Sequence, residues 1–354
     1  MDELKIDSHK LMYHVDRVNR WQRGEDIFPI YLEIAPYGGC NHRCIFCALD
    51  YIGYKPISLD AKVLAKTLRD AVRCGVESVM YAGEGEPLMH KEIISIVNLT
   101  RKTGLDVAIT TNGVFLDDQM IKKCLKDLSW IRVSFNAGSA RTYEKIHKSI
   151  KGDFKKALSN LKNAVKYRHK LKLDCTIGVQ MVLIPENRNE VIKLANIIKE
   201  IGGDYLIIKP FSRHPMSHNA MDEGFDYSRF LYLDKRLKGI ATDDFKIIFR
   251  SHTMRKLGKD KPYAQCLGLP FWAYIDAEGD VYACSSFLKD RRFLYGNIYK
   301  DSFEKIWRGR KRKKIMNMMQ NGWDIKECRE VCRLDEINRY LWNLKNPSSH
   351  ANFI

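Results

Sequence analysis

The ten cysteines of this 354-residue chain are the residues best suited to chemistry, and their spacing separates them into groups. Cys40, Cys44 and Cys47 form the first group, with the spacing C-x3-C-x2-C in a loop that directly follows a predicted strand. Three thiolates can hold three irons of a 4Fe–4S cluster and leave the fourth iron open. An open metal position binds a ligand or substrate, whereas a closed one serves the fold. A structural zinc site completed by His42 is the alternative at this loop.

Cys266, Cys284, Cys328 and Cys332 form the second group, far from the first loop in sequence. With Gly279, the first two have the spacing C-x12-G-x4-C. The last two are one helical turn apart, which predicts that both lie on one helix face. Four thiolates can saturate either a tetrahedral metal or a 4Fe–4S cluster. This group therefore predicts a closed centre, either an auxiliary cluster suited to electron transfer or a structural zinc.

Composition narrows the class of protein. With 45% hydrophobic and 29% charged residues the chain can bury a core, which excludes long disorder, collagen and a pure coiled coil. The remaining cysteines, Cys74, Cys124 and Cys175, are expected to be buried packing residues rather than parts of a disulfide scaffold. The start, Met-Asp-Glu-Leu-Lys, is not typical of a signal peptide, and no apolar run approaches the ~20 residues of a membrane span. We therefore expect a protein of the reducing cytoplasm.

Short apolar runs alternate with helical patterns between residues 29 and 211. The strands are predicted at 30–34, 78–81, 107–110, 131–135, 176–184 and 205–209. The helices between them are predicted at 60–74, 91–103, 117–128, 153–170 and 190–201. Such strand–helix units predict an α/β protein with a parallel sheet and right-handed crossovers. Ligands bind at the carboxyl ends of the strands in such sheets, so the loops that follow each strand are expected to carry the chemistry.

The pattern changes after residue 262. A β-hairpin is predicted from 271–275 and 281–283, with its turn at 276–280. Helices are predicted at 302–319 and 335–344. Before this region, within residues 212–262, a strand is predicted at 245–249. The expected domains are an N-terminal extension at 1–28, a barrel at 29–214, a linker region at 215–262 and a cluster-binding domain at 263–354.

With the aromatic Phe46 before its last cysteine, the loop after the first strand resembles that of the radical S-adenosylmethionine (SAM) enzymes. The sequence from Gly83 to Pro87, Gly-Glu-Gly-Glu-Pro, is similar to the family motif that binds the SAM amino group. The resemblance implies that the open iron binds SAM and that one-electron cleavage yields a 5′-deoxyadenosyl radical, which takes hydrogen from a substrate. The SAM contacts it implies are Phe46, Gly83, Glu84, Gly85, Glu86, Asn112, Ser134, Asn136 and Gln180.

The family resemblance also implies a fold. It implies a partial (β/α)6 TIM-like barrel followed by a small Twitch-like β-hairpin/helix domain. The hairpin and helix around the second cysteine group resemble the SPASM/Twitch extension of many radical SAM enzymes. Because the larger SPASM form uses seven cysteines and this chain supplies four, the resemblance implies one auxiliary 4Fe–4S cluster. The pattern is similar to that of radical SAM alcohol dehydrogenases acting on aminocyclitols.

The charge of the chain indicates which kinds of binding partner to expect. The net charge of +17 favours anionic partners, and residues 308–314 form the densest basic run. That run is either a solvated helix face or a binding surface for an anion. The family resemblance implies an electron donor such as flavodoxin or ferredoxin, whose acidic surface this charge suits. No RNA-binding motif occurs, so a nucleic-acid partner is not expected.

Candidate catalytic residues follow the later strands. Lys209, Arg213 and His214 cluster after the sixth predicted strand, and Tyr143 follows the fourth. Hydrogen abstraction from an alcohol carbon leaves a radical that must lose a proton to a base and an electron to an acceptor. These side chains are the candidate bases or anion ligands, and an ordinary salt-bridged role is the alternative.

The expected function is that of a radical SAM oxidoreductase that oxidises or rearranges a small polar substrate such as a sugar, aminocyclitol or nucleotide. One alternative is a maturase that acts on a peptide, by epimerising residues, cross-linking them or converting one to formylglycine. Residues 1–28 are too short for a peptide-binding winged-helix domain, which disfavours this alternative. The other is a non-catalytic Fe–S or zinc scaffold that binds nucleic acid. That scaffold would leave Glu86, Ser134 and Asn136 without a function.

Overall fold

The computed structural model describes residues 4–219, 221 and 224–353. Outside these ranges lie Met1, Asp2 and Glu3 of the N-terminal sequence, Ala220, Asp222 and Glu223 of the predicted linker, and Ile354. Among the described helices, none combines the length and apolar character that a membrane crossing requires.

The described residues form one sheet of ten strands. The strands are β1 (Tyr31–Ile34), β2 (Ser78–Tyr81), β3 (Asp106–Thr111), β4 (Trp130–Ser134), β5 (Thr176–Leu183), β6 (Tyr205–Pro210), β7 (Lys246–Phe249), β8 (Trp272–Ile275), β9 (Asp280–Tyr282) and β10 (Leu294–Asn297). Their order is β10-β9-β8-β1-β2-β3-β4-β5-β6-β7. Neighbours from β8 through β1 to β7 are parallel, whereas β8, β9 and β10 pair antiparallel. The predicted α/β class, a partial TIM-like barrel with a small hairpin and helix extension, is confirmed.

Helices connect the parallel strands. The α-helices are α1 (Val15–Gln22), α2 (Ala61–Arg73), α3 (Ile93–Lys102), α4 (Asp118–Cys124), α5 (Ala140–His147), α6 (Asp153–Leu171), α7 (Val191–Ile201), α8 (Tyr232–Lys238), α9 (Ser251–Met254), α10 (Phe303–Arg308), α11 (Arg310–Asn321) and α12 (Asp335–Lys345). Short 3-10 helices lie at Leu11–Tyr13, Asp50–Ile52, Pro87–Met89, Leu125–Asp127, Tyr227–Phe230, Leu269–Phe271, Ser285–Phe287, Arg291–Phe293 and Ile325–Glu327. Asp60 and Asp117 cap α2 and α4 by accepting from free backbone N–H groups of the first turn.

Two predicted helices are wrong. The single helix at 302–319 is two helices, because Gly309 is extended (φ −67°, ψ 150°) and separates α10 from α11. Cys328 and Cys332 do not share a helix face, because they lie in the loop between a 3-10 helix and α12. In that loop the backbone N–H of Leu334 donates to Cys332 Sγ at 3.3 Å. A spacing of four residues is compatible with such a loop as well as with a helix.

The predicted linker region contains β7, which pairs in parallel with β6. This segment therefore extends the barrel sheet at one edge, while β8 extends it at the other. The division into domains by residue number stays a prediction.

The burial of side chains alternates along the strands, so the two faces of the sheet differ. In β4, Ile131 and Val133 are fully buried, whereas Trp130, Arg132 and Ser134 are only half-buried. Because the crossover helices cover the outer face of such a sheet, the first pair packs under them and the other three face the lumen. The outer face is therefore packing, and β4 presents an arginine and a serine to the interior of the barrel.

Candidate active site and metal centres

The first cysteine loop follows β1 and is held in place by its neighbours. The backbone N–H of Arg43 donates to the carbonyl of His147, the last residue of α5, at 3.0 Å. The N–H of Glu86 donates to the carbonyl of Gly39 at 2.8 Å. A Cβ at Gly85 would lie 2.3 Å from that same carbonyl, so only glycine permits this close approach. The three half-buried thiols of the loop thus lie at the carboxyl end of the sheet.

His147 contacts the first loop through a side-chain bond. Its Nδ1 lies 3.3 Å from Cys44 Sγ, and its Nε2 faces the backbone N–H of Asn136 at 3.4 Å and the side-chain amide at 3.3 Å. The amide orientation is set because Asn136 Oδ1 accepts from Val182 N at 2.6 Å. Since a backbone N–H can only donate, Nε2 is the acceptor and the ring proton lies on Nδ1, directed at Cys44. Burial holds the pKa of His147 well below its usual value, so the ring is neutral.

A buried layer lies behind the cysteine loop. His42 Nε2 pairs with the carboxylate of Asp153 at 3.0 Å, while its Nδ1 has no partner among the described residues. Tyr143 stacks on His147 with ring centroids 4.1 Å apart, and it is fully buried. Tyr143 thus lies in the layer behind the cysteine loop, and its catalytic role stays a prediction. Sequence reasoning missed α5 and His147, although an N-capping Ser139 and the helical spacing of Tyr143 and His147 were signals for both.

Glu86 joins the ends of β2 and β3. Its Oε1 accepts from Thr111 Oγ1 at 2.6 Å and from Leu88 N at 3.1 Å, and its Oε2 accepts from Asn112 N at 2.8 Å. Burial raises the pKa of Glu86. Because a carboxylate oxygen has two lone pairs, Oε2 retains one acceptor position for an ammonium group.

The preceding residues connect β2 to the hairpin. Gly83 has φ +120°, and a Cβ there would lie 2.2 Å from Tyr274 Oη, so the position requires glycine. Glu84 Oε1 accepts from Ala277 N at 2.9 Å, while its Oε2 is buried and has no partner among the described residues. Burial raises the pKa of Glu84 to about 7. Glu84 is thus tied to the hairpin, and its role at SAM stays a prediction.

The other predicted SAM contacts surround the mouth of the barrel. Ser134 and Gln180 are register partners on β4 and β5. Asn112 Nδ2 donates to Asn41 Oδ1 of the cysteine loop at 2.6 Å. Phe46 packs partly buried against a small apolar cluster. The structure brings these residues to one place, although it occupies both side-chain groups of Asn136 with internal hydrogen bonds.

The second cysteine group surrounds one cavity. Its lining includes Cys266, Cys284, Cys328 and Cys332. The other lining residues are Lys261, Tyr263, Ser286, Met319, Ile325, Leu334 and Asn338. Burial raises the pKa of Cys284 to about 12 and that of Cys332 to about 11, so these thiols become ligands only when a metal centre displaces their protons.

Hydrogen bonds to sulfur complete this centre. Ser286 N donates to Cys284 Sγ at 3.4 Å, and Asn338 Nδ2 lies 3.7 Å from Cys266 Sγ. Such N–H···S contacts orient ligating sulfurs and stabilise their negative charge. The donor set is therefore that of a closed, four-thiolate metal centre.

The two centres share the carboxyl end of the barrel. Arg329, which follows Cys328, donates through Nη2 and Nε to the carbonyl of Ser212 at 2.6 and 3.1 Å, just beyond β6. Tyr51, from the first loop region, donates to the carbonyl of Leu288 at 3.3 Å. These contacts place the loops of the second centre directly over the barrel mouth.

The candidate bases occupy different environments. His214 is buried and stacks on Tyr51 with centroids 5.1 Å apart; its Nδ1 accepts from Met216 N, and its Nε2 has no partner among the described residues. Burial and the charge of Arg329 lower the pKa of His214 to about 4. Arg213 is exposed, and Lys209 is half-buried on β6.

Comparison with known families identifies both halves of this arrangement. Residues 34–198, with the first cysteine loop, match the radical SAM superfamily, and residues 266–333, with the second group, match the SPASM iron–sulfur cluster-binding domain. The chain belongs to the radical SAM superfamily. As a radical SAM enzyme it uses a SAM-binding 4Fe–4S cluster, an auxiliary cluster and SAM.

Several radical SAM relatives match most of the chain. The tungsten-containing aldehyde ferredoxin oxidoreductase cofactor-modifying protein of Pyrococcus furiosus is 25% identical over 300 residues, which cover 78% of this chain and 80% of that protein. The AdoMet-dependent heme synthase of Methanosarcina barkeri is 23% identical over 293 residues, covering 76% and 79%. Streptococcus suis SuiB bound to S-adenosylmethionine has the same fold, with a TM-score of 0.69 and 17% identity, covering 96% of this chain and 79% of SuiB.

The residues present fit the groups that radical SAM enzymes carry. Four buried thiols around one cavity suit an auxiliary cluster, and the free lone pair of Glu86 suits the ammonium group of SAM. The assignment of individual ligands and SAM contacts stays a prediction.

His147→Leu is expected to lower the reduction potential of the first cluster. The N–H···S hydrogen bond from His147 to Cys44 stabilises the reduced state of a cluster, because that state carries more negative charge, and the variant removes this bond. A redox titration followed by electron paramagnetic resonance (EPR) measures the change. Tyr143→Phe is the matched control, because the Tyr143 hydroxyl has no partner among the described residues. An unchanged potential in His147→Leu, with iron content retained, would refute this role.

Proposed function

We propose that this radical SAM enzyme is an oxidoreductase that acts on a small polar substrate, such as a sugar, aminocyclitol or nucleotide, in the barrel lumen. The observation that carries the proposal is the closed second centre, where four thiols surround one cavity beside the barrel mouth. Four ligands leave no metal position for substrate, which suits electron transfer. When bound, SAM and its cluster supply the 5′-deoxyadenosyl radical that takes a hydrogen atom, and the auxiliary cluster takes one electron.

The proposal assigns the cofactor ligands residue by residue. Cys40, Cys44 and Cys47 hold the first cluster, and the open acceptor position of Glu86 binds the SAM ammonium group. The four cysteines of the second group hold the auxiliary cluster. Since all ten cysteines are free thiols in the structure, we place the enzyme in a reducing cytoplasm.

Loss of a hydrogen atom and an electron from an alcohol carbon also requires that one proton leave the hydroxyl. Which of the predicted bases takes it stays a prediction, because Nδ1 of His214 accepts from Met216 N and the proton of its neutral ring therefore lies on Nε2. Its stacking on Tyr51 places the ring between the first loop region and the loops of the second centre. Arg213 is exposed and is not assigned the proton.

An acidic electron donor of the flavodoxin or ferredoxin kind completes the proposal. The basic run on α10 and α11 is a solvated face, since Ile306, Trp307, Ile315 and Met319 form its buried side. Arg312 is the exception, because it is buried over the Trp307 ring at 4.0 Å. The exposed cations of this face are Arg308, Arg310, Lys311, Lys313 and Lys314. They offer charge complementarity to an acidic donor.

A substrate panel tests the oxidoreductase proposal. The reconstituted enzyme, with SAM and dithionite, is incubated with sugar phosphates, nucleotides, aminocyclitols and short peptides. We expect one small polar compound to stimulate 5′-deoxyadenosine formation and to lose two hydrogens, with deuterium from the labelled carbon found in 5′-deoxyadenosine. Stimulation by peptides alone would indicate a maturase instead. No 5′-deoxyadenosine under any condition would favour the non-catalytic scaffold.

A further inference from the structure

Lys209 lies on the inner face of β6. Leu206 and Ile208 are fully buried on the helix-covered face, so Lys209 projects from the opposite, lumen face. No hydrogen bond or ion pair joins its ammonium to any residue in the described ranges. An unpaired cation in a partly buried position is costly, which calls for an explanation.

Arg329 lies over the same end of β6. Its Nε and Nη2 both donate to the carbonyl of Ser212, two residues beyond the strand. No carboxylate contacts this guanidinium within the part of the chain that the structure describes. The acidic groups that act on Arg329 are the thiols of Cys332 and Cys284, and its Nη1 has no hydrogen-bond partner among the described residues.

Arg132 approaches the same region from β4. Its Nε donates to Tyr205 Oη at 3.2 Å, and its guanidinium lies 4.7 Å from the centre of the Trp130 ring. Tyr205 shares the lumen row of β6 with Lys209. Like Arg329, Arg132 has no carboxylate partner among the described residues.

Around Lys209 the described residues therefore carry more positive than negative charge. Burial and the surrounding arginines hold the pKa of Lys209 well below its usual value. The cations that act on Lys209 are Arg329, Arg250, Arg132 and Arg333. Among the described residues, Glu33 pairs with Arg333 and Asp7 pairs with Arg250, whereas no carboxylate pairs with Arg132 or Arg329. An anion in the lumen would compensate the rest.

We propose that the substrate carries a phosphate or carboxylate group, which Lys209 and Arg329 bind at the carboxyl end of β6 with Arg132 beneath them. This proposal rests on the proposed function, since it assumes a substrate in the lumen. It narrows the substrate class to anionic small molecules, such as sugar phosphates, nucleotides or sugar acids. It also gives Lys209 a binding role.

Equilibrium binding of simple anions tests the anion site without turnover. The enzyme with both clusters and saturating SAM is titrated calorimetrically with inorganic pyrophosphate and, separately, with succinate. We expect at least one of them to bind, and Lys209→Met and Arg329→Gln to weaken that binding at least about tenfold, or ~1.4 kcal/mol. Lys209→Arg should restore it, and Lys162→Met, which removes one exposed charge from α6, should leave it unchanged.

The outcomes separate the possible sources of the anion. Binding of pyrophosphate indicates a phosphate-bearing substrate, and binding of succinate alone indicates a carboxylate. Weaker SAM binding in Lys209→Met, with no effect on either probe, would overturn the proposal by assigning the site to SAM. Binding that is equal in all variants would overturn it as well. Iron content reports whether Arg329→Gln keeps its cluster. Anion binding without hydrogen abstraction would contradict the proposed oxidoreductase function alone.

Discussion

Cys44→Ala is expected to abolish reductive cleavage of SAM. Cys44 lies in the centre of the first loop, where its sulfur accepts from His147, and its loss removes one of three proposed ligands. Changes to outer-shell partners already cost about 10–100-fold at metal sites, so loss of a ligand is expected to cost at least about 100-fold. The measurement is 5′-deoxyadenosine formation with dithionite and SAM.

Iron content accompanies that measurement. We expect about eight irons per chain for the unaltered protein and about four for Cys44→Ala, because the second centre is independent of the first loop. Cys74→Ala is the matched control, since Cys74 is half-buried and belongs to neither group. Cleavage of SAM by Cys44→Ala at the rate of the control would contradict the assignment of the first loop.

Cys332→Ala is expected to separate SAM cleavage from substrate oxidation. Cys332 lines the second cavity, and its removal opens a centre that the structure closes with four thiols. Without the auxiliary cluster the substrate radical has no one-electron acceptor, so formation of oxidised product should fall at least about 100-fold. Substrate-independent 5′-deoxyadenosine formation should persist, because the first loop is unchanged.

That persistence also shows that the variant is folded. Iron should fall to about four per chain in Cys332→Ala, with SAM affinity unchanged. Full substrate oxidation by a protein that has lost these irons would refute electron transfer through the second centre. About four irons and a tightly held zinc in the unaltered protein would make the second centre structural.

The barrel was predictable because its signals are local. β2 occupies the predicted residues 78–81, and the carboxylates Asp60 and Asp117 mark the starts of α2 and α4. The cysteine groups were also visible in sequence, because cofactor ligands recur at characteristic spacings. That the four cysteines of the second group line one cavity agrees with the spacing argument.

Other features depend on contacts between distant segments. His147 reaches Cys44 only because α5 packs under the first loop, and the short helix has a weak periodic signal. The loop at Cys328 and Cys332 was taken for a helix, since the spacing satisfies both geometries. The charge around Lys209 combines arginines from β4 and from the loop after Cys328, which no local pattern places together.

The most direct test of two centres with different roles is the EPR spectrum of the reduced single-cluster variants, with and without SAM. Cys332→Ala keeps the first centre and Cys44→Ala keeps the second. We expect SAM to change the spectrum of Cys332→Ala, because the first centre has an open iron, and to leave the spectrum of Cys44→Ala unchanged. The assignment of different roles to the two centres would be contradicted if the spectrum of Cys44→Ala responded to SAM, or if the spectrum of Cys332→Ala did not.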